Sequence, residues 1–170
     1  MLWITSPSSS LKALDDGALT TLLSAPGETA REAALLAVGS RDRPTLRPRV
    51  EALLGDASPS VASMAAWSLG QLEAPESVDP LVAALRSPAP RVRMAAAWAL
   101  GQIEDVRAVR PLLETLGDGE ALVRLASAEA LSDIESPDAV DALEGAATQD
   151  GDRRVRKAAI EGLGSLELSR

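Results

Sequence analysis

The chain has 170 residues, with 17 Lys and Arg against 25 Asp and Glu, a net charge of −8, and no His, Cys, Phe or Tyr. Without His or Cys there is no imidazole base, thiolate, Cys/His zinc site or disulfide, so we expect neither catalysis nor a cofactor or metal. The apolar residues, 46% of the chain, are mostly small or aliphatic and favour closely packed helices over sheets. No apolar run approaches the ~20 residues of a membrane span. We expect a cytoplasmic protein, and the preference for Arg over Lys suggests a bacterial one.

In chain order, residues 1–10 come first, with Leu2, Trp3 and Ile4 followed by a Ser- and Pro-rich stretch. We predict that this segment caps the exposed end of the first repeat, as the terminus of a repeat array requires. Residues 11–170 are then predicted to form a single repeat domain.

A repeat governs the rest of the chain. The stretch Ala66-Trp67-Ser68-Leu69-Gly70 recurs 31 residues later as Ala97-Trp98-Ala99-Leu100-Gly101. A period of this length indicates a helical solenoid. The same spacing predicts units at approximately 11–40, 41–71, 72–102, 103–133 and 134–170.

Each unit contains two stretches with helical spacing of apolar residues, separated by a turn rich in Pro, Gly or Asp. Such a hairpin buries its apolar face only by stacking on its neighbours. Glycines recur near the end of the second stretch, where we expect them to end the helix with a positive φ angle. They are Gly39, Gly70, Gly101 and Gly164.

The segment from Val92 to Ile103, VRMAAAWALGQI, resembles the HEAT-like repeat first named for phycobilisome lyases. The resemblance implies an all-α, right-handed α-solenoid of about five HEAT-like hairpins, with the second helices lining a concave surface. The family usually has Gly-Asp-Pro after the Ile, whereas this chain has glutamate at the Gly position. These glutamates are Glu73, Glu104, Glu135 and Glu167.

Two sets of charged residues recur at equivalent positions of successive units, and each such set of equivalent positions is called a column. Arginine recurs in the second helix as Arg31, Arg93, Arg124 and Arg156, and aspartate in the preceding turn as Asp56, Asp118 and Asp150. In HEAT-like repeats these residues form a ladder between adjacent units. We interpret them as structural, because a feature repeated in nearly every unit serves stacking better than a single binding site. Ala62 and Ser87 interrupt the ladder near the second and third units, which suggests either a looser interface there or compensating partners from elsewhere.

A further column should point outward from the second helices, and it consists of Leu36, Trp67, Trp98, Glu129 and Glu161. Met94 and Leu125 lie one turn earlier. We predict an apolar, partner-binding patch formed by Leu36, Trp67, Met94, Trp98 and Leu125, with Glu129 and Glu161 as charge partners at one end. The alternative is that both Trp side chains belong to the core. Exposure of the two Trp side chains is favoured, because the recurring Val, Ala and Leu positions already account for the buried face of the second helices.

The negative charge is concentrated in residues 103–145, which contain eleven acidic and three basic residues. We therefore predict a non-enzymatic scaffold or adaptor that binds another protein, one with a basic or amphipathic segment, on its concave face. We expect a monomer or weak self-association, and no binding to membranes, because the net charge repels anionic lipid.

Two alternative functions remain. The first, implied by the family, is an accessory subunit of an enzyme complex that resembles the bilin lyases. The second is nucleic-acid binding, for which the support is two basic clusters: Arg41, Arg43, Arg47 and Arg49, and Arg153, Arg154, Arg156 and Lys157. These clusters lie on either side of the acidic segment, unlike a continuous basic track, so we expect no nucleic-acid partner.

Overall fold

The computed structural model describes residues 14–40 and 43–168, and within these ranges the chain is all helical, without strands. The predicted cap at residues 1–10, with Trp3, lies outside the described residues, as does Arg41. The helices form five hairpins stacked into a solenoid. The first helices are α1 (Asp16–Leu23), α3 (Arg47–Ala52), α5 (Val78–Ala84), α7 (Val109–Thr115) and α9 (Val140–Gln149). The second helices are α2 (Glu28–Gly39), α4 (Pro59–Gln71), α6 (Pro90–Ile103), α8 (Ala121–Asp133) and α10 (Arg153–Leu168).

Proline sets the start of several of these helices. Pro59 and Pro90 occupy the first positions of α4 and α6, where the missing N–H forms no helical hydrogen bond in any case. Four of the first helices follow directly on a short 3₁₀ turn that the repeat pattern did not predict. These turns are Pro44–Leu46, Pro75–Ser77, Val106–Ala108 and Pro137–Ala139.

The glycines do not end the helices as predicted. None of the described glycines has a positive φ; that conformation belongs to Glu73, Glu104 and Glu135, the residues that follow the second helices. Gly70 and Gly101 instead lie inside α4 and α6, where neighbouring backbones come close. A Cβ on Gly70 would lie 2.9 Å from the Cα of Ala99, and one on Gly101 would lie 2.8 Å from the Cα of Ala130. These glycines therefore permit close helix packing rather than a left-handed turn.

Close packing of the second helices gives the solenoid its curvature. Each second helix contacts the next far more extensively than the first helices contact one another. Because helices lie closest on the inside of a curve, α2, α4, α6, α8 and α10 form the inner surface. The core between the two layers is built from fully buried leucines of both. The second helices contribute Leu35, Leu69, Leu100 and Leu131, and the first helices contribute Leu19, Leu81, Leu112 and Leu143.

Candidate protein-binding groove

An apolar groove crosses the inner surface from α2 to α8. It consists of two adjoining depressions of about 410 and 610 Å³, which share Trp67, Met94 and Ala95. The depression toward α8 is lined in addition by Trp98, Leu122, Leu125, Ala126 and Glu129. The depression toward α2 is lined in addition by Leu36, Ser63, Met64 and Arg91. The groove thus brings together six of the seven predicted partner-binding residues, all except Glu161.

The two tryptophans form the floor of the groove. Their rings stack nearly parallel, with centroids 6.4 Å apart and an interplanar angle of 10°. Each ring also covers a glycine of the preceding second helix: a Cβ on Gly39 would lie 2.9 Å from Cζ3 of Trp67, and one on Gly70 would lie 2.8 Å from Cζ3 of Trp98. Both side chains are half-buried. Each ring thus has one part in helix packing and another part in the groove.

The walls of the groove expose large apolar side chains. Leu36 is 46% exposed and Leu122 is 49% exposed, while Met94 and Leu125 are half-buried against the core. Leu122 was not among the predicted site residues. Leu122 is equivalent in the repeat to Arg91 and Arg154. An apolar residue at a position that is basic in the neighbouring units was the sequence signal that could have identified it.

Acidic residues close the α8 end of the groove. Glu129 lines the groove, and burial raises its pKa, with Asp133 and Glu161 adding repulsion. Burial also raises the pKa of Asp133, with a further contribution from Glu104. Glu161 is exposed on α10, where its carboxylate lies 3.0 Å from Nζ of Lys157. The predicted charge partners therefore form part of a cluster of four carboxylates.

The Arg–Asp pairs connect successive hairpins along the turns. Nε of Arg31 lies 2.8 Å from Oδ2 of Asp56, and the same atoms are 2.7 Å apart between Arg93 and Asp118 and 2.8 Å apart between Arg124 and Asp150. The hydrogen bonds from the arginines lower the pKa values of Asp118 and Asp150.

The same arginines also hold the turn of their own hairpin. Nη1 of Arg93 donates to the carbonyl of Ser87 at 2.9 Å, and Nη1 of Arg156 donates to that of Asp150 at 2.8 Å. Arg31, Arg93 and Arg124 each pair with the aspartate of the following hairpin, whereas Arg156, in the last described hairpin, holds only its own turn. Ala62 and Ser87 therefore occupy the two ends of one and the same pair. Among the hairpins that the structure describes, the ladder thus lacks one pair, between the second and third hairpins.

Most of the described basic residues in the two clusters are engaged with acidic side chains. Arg43 pairs with Asp16, Arg47 with Glu51, Arg154 with Asp152, and Lys157 with Glu161. These ion pairs reduce the positive charge available to a phosphate backbone.

Two kinds of feature are absent from the part of the chain that the structure describes. None of the described helices is long and apolar enough to span a membrane. In the same part of the chain, no group of three or more acidic, His or Cys side chains is arranged to hold a metal ion.

Comparison with known proteins places this architecture among helical repeat proteins. The sequence profile of HEAT repeats matches residues 16–89, 46–120 and 78–164. No curated protein sequence matches the chain. Among solved structures, the complex of CpcE and CpcF of phycocyanin lyase from Nostoc sp. PCC7120 is similar, with a TM-score of 0.82 and 23% identity. That match covers 91% of this chain, which spans 66% of the length of the lyase chain.

Two synthetic proteins show the same fold. An engineered protein matches with a TM-score of 0.69 and 22% identity, over 95% of this chain and 85% of its own. A designed armadillo repeat protein in complex with the peptide (KR)4 matches with a TM-score of 0.67 and 21% identity, over 87% of this chain and 80% of its own. Likeness at these identities establishes the solenoid fold.

Proposed function

The chain belongs to the HEAT repeat family, and on that premise we propose that it is a non-enzymatic scaffold or adaptor that holds a segment of another protein in the groove of its inner surface. The proposal places it in the cytoplasm of a bacterium. HEAT-type solenoids present extended concave surfaces that suit this task.

The observation that most supports the proposal is the stacked tryptophan pair in an open apolar groove. Part of each ring is in contact with solvent, and the exposed leucines Leu36 and Leu122 extend the same apolar surface. Contiguous apolar surface of this kind on a water-exposed face marks an interaction site. Tryptophan is also one of the residue types enriched among binding hot spots.

The similar structures support a protein or peptide partner. The CpcE and CpcF chains form a complex with each other, and the designed armadillo protein holds a peptide composed of Lys and Arg. By analogy, this chain's partner is a protein segment, and the acidic α8 end of the groove favours a basic or amphipathic one.

A capture experiment with matched variants tests the proposal. The bait proteins are the wild type, the groove variant Leu36→Gln/Leu122→Gln, the double variant Trp67→Ala/Trp98→Ala, and a control, Val106→Ala, in which the replaced side chain is 70% exposed outside the groove. We expect the wild type and the control to retain the same proteins from the native lysate, and both groove variants to lose them.

Stability must be measured alongside capture, because the tryptophans also contact the helices. We expect Leu36→Gln/Leu122→Gln to melt close to the wild type, since both side chains are about half exposed. The double Trp variant should lose stability through its contacts with Gly39 and Gly70. Equal capture by the wild type and the leucine variant would contradict the proposal.

The second candidate function is that of an accessory subunit in a bilin-lyase-like enzyme complex, and the similarity to the CpcE and CpcF structure favours it. A linear tetrapyrrole has a visible absorption band, so titration of the pigment with this protein tests the candidate directly. A shifted band that is lost in Leu36→Gln/Leu122→Gln would favour pigment handling over protein capture.

A further inference from the structure

We propose that the bound segment carries an Arg or Lys side chain next to its apolar anchors and places this cation at the α8 end of the groove, against Glu129 and Asp133. This inference rests on the proposed function and specifies the chemistry and the direction of the segment. The occupant is an extended or helical stretch of another protein, with its positive charge at one end.

The first argument comes from one row of equivalent positions along the inner surface. Trp67 on α4 and Trp98 on α6 cover Gly39 and Gly70. The next position, on α8, is Glu129, and there the carboxylate of Asp133 approaches the glycine instead: a Cβ on Gly101 would lie 3.2 Å from its Oδ2. Aromatic rings and carboxylates therefore follow one another at the spacing of packed helices, about 8–10 Å.

The second argument is that this negative charge is uncompensated. Within the described part of the chain, neither Glu129 nor Asp133 forms an ion pair. Their neighbours Glu104 and Glu161 repel them, and the nearby Lys157 pairs with Glu161. A cation supplied by a partner would relieve this repulsion, and the aromatic ring of Trp98 lines the same depression as Glu129.

The third argument is the difference in charge between the two depressions of the groove. The exposed Arg91, at the start of α6, lines the depression toward α2, whereas Glu129 on α8 lines the other depression. A segment with a basic end is attracted at α8 and repelled at Arg91, so its direction along the groove is fixed. The acidic stretch 103–145, which includes α8, adds long-range attraction for the same end.

The probe for the experiment is a library of randomised peptides displayed on phage, selected against the whole protein. Three variants are selected in parallel: Leu36→Gln/Leu122→Gln, the acidic-end variant Glu129→Gln/Asp133→Asn, and the control Glu144→Gln, an exposed acid on the first helix α9. We expect wild type and control to enrich peptides in which Arg or Lys lies on one side of an apolar pair.

Synthetic peptides then give affinities by fluorescence anisotropy. The most enriched sequence is compared with a version in which Gln replaces its basic residues. Because Glu129 and Asp133 are exposed residues, we expect Glu129→Gln/Asp133→Asn to weaken binding of the basic peptide only about threefold to tenfold. The affinity of the Gln-substituted peptide should differ less than twofold between this variant and the wild type. The control Glu144→Gln should leave the affinities of both peptides unchanged.

The outcomes separate this inference from the proposed function. If no sequence is enriched on the wild type above the Leu36→Gln/Leu122→Gln background, the proposed function itself is wrong. If peptides are enriched through the groove without a basic bias, or if Glu129→Gln/Asp133→Asn binds the basic peptide as the wild type does, the function stands and the acidic-end inference is overturned.

Discussion

At the residue scale, the turns after the second helices contain glutamates in a conformation that normally belongs to glycine. Glu73, Glu104 and Glu135 have φ values of 46°, 56° and 52°. A left-handed conformation brings Cβ close to the following carbonyl oxygen and costs about 1–2 kcal/mol. Within the described ranges, strained residues therefore occur in three equivalent turns.

Replacement of one of these glutamates by glycine should stabilise the protein. For Glu135→Gly we expect the free energy of unfolding to rise by about 0.5–1 kcal/mol, since relief of strain exceeds the entropy cost of a glycine. Urea unfolding measures the difference. The same replacement at Glu144, in the regular helix α9, should instead lower the free energy by about 1 kcal/mol. A loss of stability in both variants would refute the assignment of strain to Glu135.

At the element scale, the glycines inside the second helices determine how closely these helices pack. Gly70→Ala places a methyl group 2.9 Å from the Cα of Ala99, and backbone atoms cannot move aside as a flexible side chain can. We expect a loss of about 1–3 kcal/mol from overpacking. Gly164, the equivalent residue on α10, has nothing within 4 Å, so Gly164→Ala should stabilise by about 1 kcal/mol. Thermal melting of the two variants should therefore shift in opposite directions.

The missing Arg–Asp pair can be restored between the second and third hairpins. Ala62→Arg and Ser87→Asp place the two partners at the positions that are occupied in the other pairs, for example by Arg93 and Asp118. In a double-mutant cycle we expect a favourable coupling of about 1 kcal/mol, even if each single change is destabilising. A coupling near zero, measured by urea unfolding, would show that this interface has a different geometry.

At the scale of the whole molecule, two groups of carboxylates give opposite dependences of stability on pH. The pKa values of Asp118 and Asp150 are lowered by Arg93 and Arg124. The ionised aspartates therefore add to the free energy of unfolding. This contribution is complete above about pH 4 and is lost as the pH falls toward the folded-state pKa. The pKa of Glu129 is raised, so between about pH 4 and that raised value the folded state binds more protons, and stability falls as the pH rises.

Two variants check these signs by urea unfolding at a series of pH values. Glu129→Gln should be more stable than the wild type at pH 7, and the difference should vanish at pH 3. Asp118→Asn should be less stable than the wild type at pH 7 by about 1–3 kcal/mol, because a largely buried ion pair is broken. That deficit should shrink below about pH 4. Differences independent of pH would rule out the electrostatic explanation.

The repeat period predicted the fold because it aligns equivalent residues, and stacking of equivalent faces leaves few other architectures. It did not predict the role of Gly70, since the alignment cannot show how near Ala99 lies on the next helix. For the same reason, the sequence left open whether Trp67 and Trp98 are core or surface. Their half-buried state depends on Gly39 and Gly70, one repeat earlier.

The interface without an Arg–Asp pair is also the interface at which the two tryptophans meet. On the turn side, Ala62 and Ser87 provide no ionic contact, while on the inner side the rings stack with centroids 6.4 Å apart. Any change in curvature between α4 and α6 must alter this ring-to-ring distance. The width of the groove and the bend of the solenoid are therefore the same geometric variable at this point, so any ligand that spread or compressed the two rings would change the bend between α4 and α6.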